Sequence, residues 1–264
     1  MWKNSLISSF SVKGMGVFRF KKFEVINDRS AMKVNTDGVL LGAAMTICPS
    51  DRTFLDVGTG TGTIALMAAQ RLSESSNEFK ITAIDIDKIS VEEASQNFSN
   101  SPWSDHLDSR DQSLDEFSST LKNSVDGCDS AVGFDLIFSN PPYFDESLLA
   151  PEQRRCNARH TSTGLSYREL LEFAAAHLSE NGRISMVLPS ETEQALTRHA
   201  RMHGLYLFRI LRVRTVPRKN PSRIIAEFSR QRCQTPEDRI LTIQDEGKYS
   251  EEYLSLTHEF YLFA

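Results

Sequence analysis

The chain has 264 residues, 40% of them hydrophobic and 25% charged, with a formal net charge of -5. That supports one large domain with a sizeable core, and the acidic total does not by itself advertise a nucleic-acid partner. Four widely spaced cysteines (Cys48, Cys128, Cys156 and Cys233) form no CxxC pair, which predicts reduced thiols and no metal site. No apolar run approaches the roughly 20 residues of a membrane span and no signal segment opens the chain, so a soluble, cytoplasmic protein is expected.

Residues 1–16 read as a loose leader, and Phe18–Phe20 with Phe23–Ile26 as a short hairpin. Val39–Ala44 reads as a helix. From Thr53 onward the pattern alternates. Thr53–Val57 is a strand and Thr63–Leu72 a helix; Lys80–Ile84 is a strand and Ser90–Asn100 a helix; a weak strand lies near Leu107–Arg110. Ser113–Gly133 is polar and low in pattern, which predicts a surface segment. Phe134–Ser139 is the next strand, and Tyr167–Leu178 is an amphipathic helix with Leu170, Leu171, Ala174 and Leu178 on one face. Arg183–Leu188 is a strand, Glu191–His203 a helix, and Gly204–Val213 and Arg223–Phe228 are two strands joined by a loop. Alternating strands and helices predict an α/β fold with a doubly wound, mostly parallel seven-stranded sheet. The last two strands are joined too directly for a helical crossover, so an antiparallel hairpin at one edge is expected.

Two of the strands run into motifs that carry chemistry. The first is Asp56-x-Gly58-x-Gly60-x-Gly62, between a strand and a helix. Glycines there permit a tight turn and a close backbone approach to a ligand. The GxGxG spacing, and the acid ahead of it, argue against a dinucleotide, whose pyrophosphate sits at a helix N-terminus and would be repelled by Asp56. S-adenosylmethionine instead offers an ammonium group. Asp85, ending the next strand, suits ribose hydroxyls, and Asp111, after the weak third strand, suits an adenine amino group.

The second motif is Asn140-Pro141-Pro142-Tyr143. An exocyclic amine on a conjugated ring is a poor nucleophile, because its lone pair is delocalised. The Asn140 side-chain oxygen and the Pro141 carbonyl offer two acceptors for the amine hydrogens. Pro141 and Pro142 stiffen the loop, and Tyr143, with Phe144 behind it, offers a flat face for a base. A stacked base reaches such a pocket only when flipped or splayed out.

These motifs, in this order, resemble the class I Rossmann-like methyltransferases that act on amino groups of adenine, guanine or glutamine. The block Asp28–Ala43, Asp-Arg-Ser-Ala-Met-Lys-Val-Asn-Thr-Asp-Gly-Val-Leu-Leu-Gly-Ala, is similar to the N-terminal signature of bacterial tRNA adenine N(6)-methyltransferases that modify adenine 37 of a valine tRNA. Ala158–Thr161, Gly182–Pro189 and the tail from Tyr253 to Leu262 extend the resemblance over nearly the whole chain. It implies S-adenosylmethionine as cofactor and tRNA as substrate. It also implies an N-terminal extension over 1–50 packed on the cofactor site of a domain over 51–264, with Lys33, Thr36 and Asp37 lining the pocket.

For the RNA, a basic stripe holds Arg209, Arg212, Arg214, Arg218, Lys219 and Arg223, and a second group holds Arg154, Arg155, Arg159, His160 and Arg168. The alternatives are an N-methyltransferase of ribosomal RNA, DNA or protein glutamine, and a noncatalytic RNA-binding protein. The short stretch ahead of the cofactor motif leaves no room for the helical domain typical of glutamine methyltransferases, and no DNA-recognition domain is evident. The intact glycines and Asn140–Tyr143 argue against the noncatalytic reading.

Overall fold

The computed structural model describes residues 16–75, 78–123, 133–142 and 165–263. Two short antiparallel strands, β1 (Val17–Arg19) and β2 (Glu24–Ile26), precede helix α1 (Thr36–Ala44). The alternating part follows: β3 (Thr53–Val57), α2 (Thr63–Ser73), β4 (Lys80–Asp85), α3 (Lys88–Ser99), β5 (Leu107–Asp111), α4 (Leu114–Asn123) and β6 (Phe134–Ser139). After it come α5 (Tyr167–His177), β7 (Leu178–Pro189), α6 (Glu193–Met202), β8 (Tyr206–Arg214), β9 (Arg223–Ser229) and β10 (Glu237–Thr242). A small hairpin, β11 (Gln244–Asp245) with β12 (Lys248–Tyr249), leads to α7 (Glu251–Thr257).

The main sheet runs β10-β8-β9-β7-β6-β3-β4-β5. All neighbours pair in parallel except β9, which is antiparallel to both β7 and β8. The period-two pattern of each strand splits its side chains between two cores. Phe54, Phe138 and Val187 face α1, α2, α3 and the C-terminal aromatics Tyr253, Phe260 and Tyr261. Leu55, Val57, Ile137 and Ile184 face Phe117 of α4, Leu170 and Leu171 of α5, and Leu196 and Ala200 of α6. The doubly wound sheet is therefore as anticipated.

One expectation needs correction. The β8–β9 hairpin does not form the edge, because an eighth strand, β10, lies outside β8. Its first four residues, Glu237–Ile240, are exposed, so the sequence there lacks the apolar alternation of a buried strand. Charged residues suit an edge that must not recruit other chains. The described part of the polar stretch after Ser113 lies mostly at the surface, as expected, and forms a helix, α4. A single deep anchor, Phe117, is 1% exposed and packs near Phe134 and Phe173.

The end of α1 is tied to β9 by a buried carboxylate. Glu227 on β9 accepts from the Thr46 amide at 2.8 Å, the Thr46 hydroxyl at 3.0 Å and the Arg209 guanidinium at 2.6 Å. A buried charge is tolerable only when paired and hydrogen-bonded in this way.

Candidate active site

Strand order reverses direction between β3 and β6, which places a crevice at the carboxyl ends of these two strands. Both motifs lie there. The glycine loop leaves β3, and Asn140 leaves β6. The Ser139 hydroxyl donates to the Val57 carbonyl at 2.7 Å, stapling the two strand ends together.

Gly58, Gly60 and Gly62 all have positive φ (72°, 56° and 77°), a region in which side chains with a Cβ are strained. Their roles differ. Gly58 and Gly60 have no Cβ obstruction closer than 3.5 Å, so they form an open cradle. At Gly62 a Cβ would lie 2.4 Å from the Phe98 ring. Gly62 therefore serves the packing of α2 onto α3, at the N-cap of α2.

The acids of this rim hold the loop from below. Asp56 is fully buried; one oxygen accepts from the Thr59 hydroxyl at 2.7 Å, while Oδ1 has no hydrogen-bond partner among the described residues. Burial, against the opposing Thr59 bond and with the neighbouring Asp85 charge adding to it, pushes its carboxyl up to about 7. Asp85 accepts from the Gly60 amide at 2.9 Å and the Asp87 amide at 3.0 Å, and burial raises its carboxyl as well. Asp111 stands opposite Asp85 in the β4–β5 register and is exposed at the same rim. Sequence reasoning missed Ile86, which is 65% exposed directly after Asp85. An isolated exposed isoleucine carries no sequence signal; its position on the rim gives it meaning.

Asn140 is 6% exposed, and its amide nitrogen donates to Asn35 Oδ1 at 3.4 Å and approaches the Met32 sulfur at 3.7 Å. Asn35 is itself the N-cap of α1, with the same Oδ1 accepting from the Gly38 amide at 2.8 Å. The segment carrying Met32 passes over the glycine loop: a Cβ at Gly60 would sit 3.7 Å from the Met32 carbonyl and from the Ser30 hydroxyl. Glu93 on α3 anchors this segment by accepting from the amides of Asp28, Arg29 and Ser30. Pro141 is buried and Pro142 half-buried beside Asn140.

The exposed Lys33 turns its ammonium to the Asp28 carbonyl at 2.5 Å. Asp37 accepts from Arg223 at 3.0 Å. Thr36 opens α1 and is half-buried. Tyr143, Phe144, Arg154, Arg155, Arg159 and His160 lie outside the described residues.

Much of the basic stripe has structural partners. Arg209 binds Glu227, Arg212 binds Glu193 and Asp238, Arg214 binds Thr242 and the Pro217 carbonyl, and Arg223 binds Asp37. Arg218 and Lys219 are exposed on the β8–β9 loop. Because β8 runs parallel to β10 and antiparallel to β9, as β7 does to β9, this loop leaves the sheet at the same end as Asn140.

The residues present fit S-adenosylmethionine: an orphaned buried carboxylate oxygen for an ammonium group, an open glycine cradle, and acids with an exposed isoleucine for a nucleoside. The sequence profile of the methyltransferase small domain matches residues 30–204. A tRNA1(Val) (adenine(37)-N6)-methyltransferase of Bacteroides fragilis is 40% identical over 245 residues, 93% of this chain and 97% of its own length. Proteins of the same description from Flavobacterium psychrophilum and Vibrio parahaemolyticus are each 39% identical, over 93% and 96% of this chain and 99% and 97% of their own lengths. The fold is also similar to a solved O-methyltransferase-type structure from Agrobacterium tumefaciens (TM-score 0.62, 15% identity, 85% of this chain and 96% of that one). A type I restriction-modification methyltransferase subunit from Streptococcus thermophilus is similar too (TM-score 0.54, 14% identity, 87% of this chain and 52% of that one). The chain belongs to the methyltransferase small domain family and, within it, to the tRNA1(Val) (adenine(37)-N6)-methyltransferases.

Proposed function

We propose that this protein is an S-adenosylmethionine-dependent enzyme that methylates N6 of adenine 37 in the anticodon loop of a valine tRNA. The observation that carries the reading is the placement of the Asn140 carboxamide and the Asp56–Gly62 cradle side by side at the switch point of the sheet. Asp56, the open backbone at Gly58 and Gly60, Asp85, Asp111 and Ile86 would hold the cofactor, which supplies a methyl group on a sulfonium.

The remaining work falls to this chain's own residues. Asn140 Oδ1 and the Pro141 carbonyl accept the two amine hydrogens of the flipped adenine, which directs the nitrogen lone pair out of the ring plane. No strong general base is needed; the gain comes from orientation and from holding the amine in a water-poor pocket. Asn35 is a positioning residue. By accepting from Asn140 Nδ2 it sets which way the planar amide faces, and so directs Oδ1 to the other side. The segment 28–35 that carries Asn35 closes over the glycine loop, which supports an N-terminal extension that works as part of the active site.

A base at position 37 lies in a single-stranded loop, where it splays out without breaking a helix. Arg218 and Lys219, exposed on a loop at the same end of the sheet as Asn140, would contact phosphates, and the stretch that contains Arg154, Arg155 and Arg159 follows the acceptor motif in sequence. A tRNA substrate implies a cytoplasmic enzyme; among the described residues no helix is long and apolar enough to cross a membrane. The test is incubation with methyl-labelled cofactor and, separately, unmodified tRNA, ribosomal RNA, DNA and protein extract. Label in tRNA alone is expected. Label in one of the other acceptors, with none in tRNA, overturns the reading.

A further inference from the structure

Where α5 meets the C-terminal end of α6, one carboxylate and two imidazoles converge. Glu172 of α5 points its Oε1 at two imidazoles, His199 Nε2 at 3.1 Å and His203 Nε2 at 3.8 Å. One ligand atom from each of the three lies within 4.8 Å of the others. The two histidines are four positions apart, His199 in the last turn of α6 and His203 as its C-cap, with ring centroids 4.6 Å apart. His199 is held edge-on against Tyr167 at 6.4 Å, and both histidine side chains are partly shielded, at 16% and 33% exposure.

We infer that Glu172, His199 and His203 form a binding site for a divalent transition metal of the zinc class, bridging α5 and α6. A tetrahedral ion with ligand bonds of about 2.0–2.1 Å needs ligand atoms roughly 3.3 Å apart, and the two nitrogen–oxygen separations bracket that distance. Two neutral imidazoles with one carboxylate suit zinc, nickel or cobalt and are a poor set for calcium or magnesium. Three protein ligands leave the fourth position to water. Because its ligands come from two packed helices, the site's role is a clamp. It ties α6 to α5, the helix that follows Leu165, whose side chain lies 3.5 Å from where a Cβ on Gly58 would be. The cysteine count that argued against a metal says nothing about such a histidine–glutamate set.

The test uses the full-length protein stripped with chelator and titrated with cobalt(II) and with zinc chloride. Saturable 1:1 cobalt binding is expected, with ligand-field bands and no thiolate charge-transfer band. His199→Ala and His203→Ala should each weaken it at least about tenfold. Zinc should raise the thermal midpoint of the wild type but not of His203→Gln, and the two proteins should melt alike in chelator. Absence of saturable binding, or binding unchanged in both histidine variants, overturns the proposal. So does a thiolate charge-transfer band, which would assign the metal to the cysteines.

Discussion

The cofactor rim and the acceptor rim of this active site are built on different length scales. Gly60 and Asp85, joined by a 2.9 Å hydrogen bond, are 25 positions apart in one strand–helix–strand unit. Asn140 donates to Asn35 Oδ1, 105 positions away. The first rim is mostly backbone and buried carboxylate, set by the turn that follows β3. The second depends on docking a separate N-terminal segment onto α3 through Glu93 and onto β9 through the Asp37–Arg223 ion pair. On the proposed roles, the acceptor chemistry would rest chiefly on long-range contacts and cofactor capture chiefly on local ones.

If that division holds, damage to the two rims must separate in kinetics. The largest effect is expected at Asn140. Asn140→Ala should lower kcat by about 10²–10³, the cost typical of losing one preorganised group that acts on the reacting atoms, with cofactor affinity unchanged in equilibrium binding. A parallel loss of cofactor affinity would make Asn140 a structural turn residue.

Asn35 tests the long-range link. Asn35→Ser keeps a good N-cap for α1 but is too short to reach Asn140, so kcat should fall about tenfold, the cost of one lost hydrogen bond to the residue that holds the amine. Thermal stability and cofactor affinity should stay near wild type. Asn35→Asp keeps the acceptor and the cap, and should recover most of the rate. Equal defects in both variants would reduce Asn35 to a helix cap.

Asp56 tests the local rim through pH. Its carboxyl titrates at about 7 in the folded protein against 3.8 in an open chain. The folded state therefore holds the proton longer, and this group costs stability increasingly as pH rises from 3.8 to about 7. A cationic ligand favours the ionised form, so cofactor affinity should climb with pH below about 7, by up to roughly tenfold per unit, and then level off. Asp56→Asn should flatten that dependence and stabilise the ligand-free protein at neutral pH. A wild-type affinity that is flat across this range would remove Asp56 from cofactor binding.

The smallest effect belongs to the exposed loop. Arg218→Ala with Lys219→Ala should weaken tRNA binding several-fold and reduce the slope of log affinity against log salt by about 2, roughly one per lost phosphate contact. An unchanged salt slope would move the RNA path away from the β8–β9 loop.

The same contrast explains what was legible in the sequence. Gly58–Gly62, Asp85 and the strands before them were readable because local turns and period-two burial announce themselves within a few residues. Charge counting over Arg209–Arg223 was a poorer guide. A run of arginines does not reveal that Arg209, Arg212 and Arg223 face acids on β9, β10, α6 and α1, which only the fold brings near. Gly62 reads like a ligand glycine but serves Phe98, and Ile86 reads like nothing at all until the sheet places it at the rim. The exposed residues of β10 hid an edge strand for a related reason: an edge needs charge where an interior strand needs alternation.

The most direct test is single-turnover methyl transfer to the valine tRNA with adenine at position 37, beside the same tRNA carrying a different base there, each followed by nucleoside mass spectrometry and mapping. The expected result is 6-methyladenosine at position 37 of the first and no methylated product from the second. Methyl transfer that persists when adenine 37 is replaced, or a methyl group at another atom of the base, would contradict it.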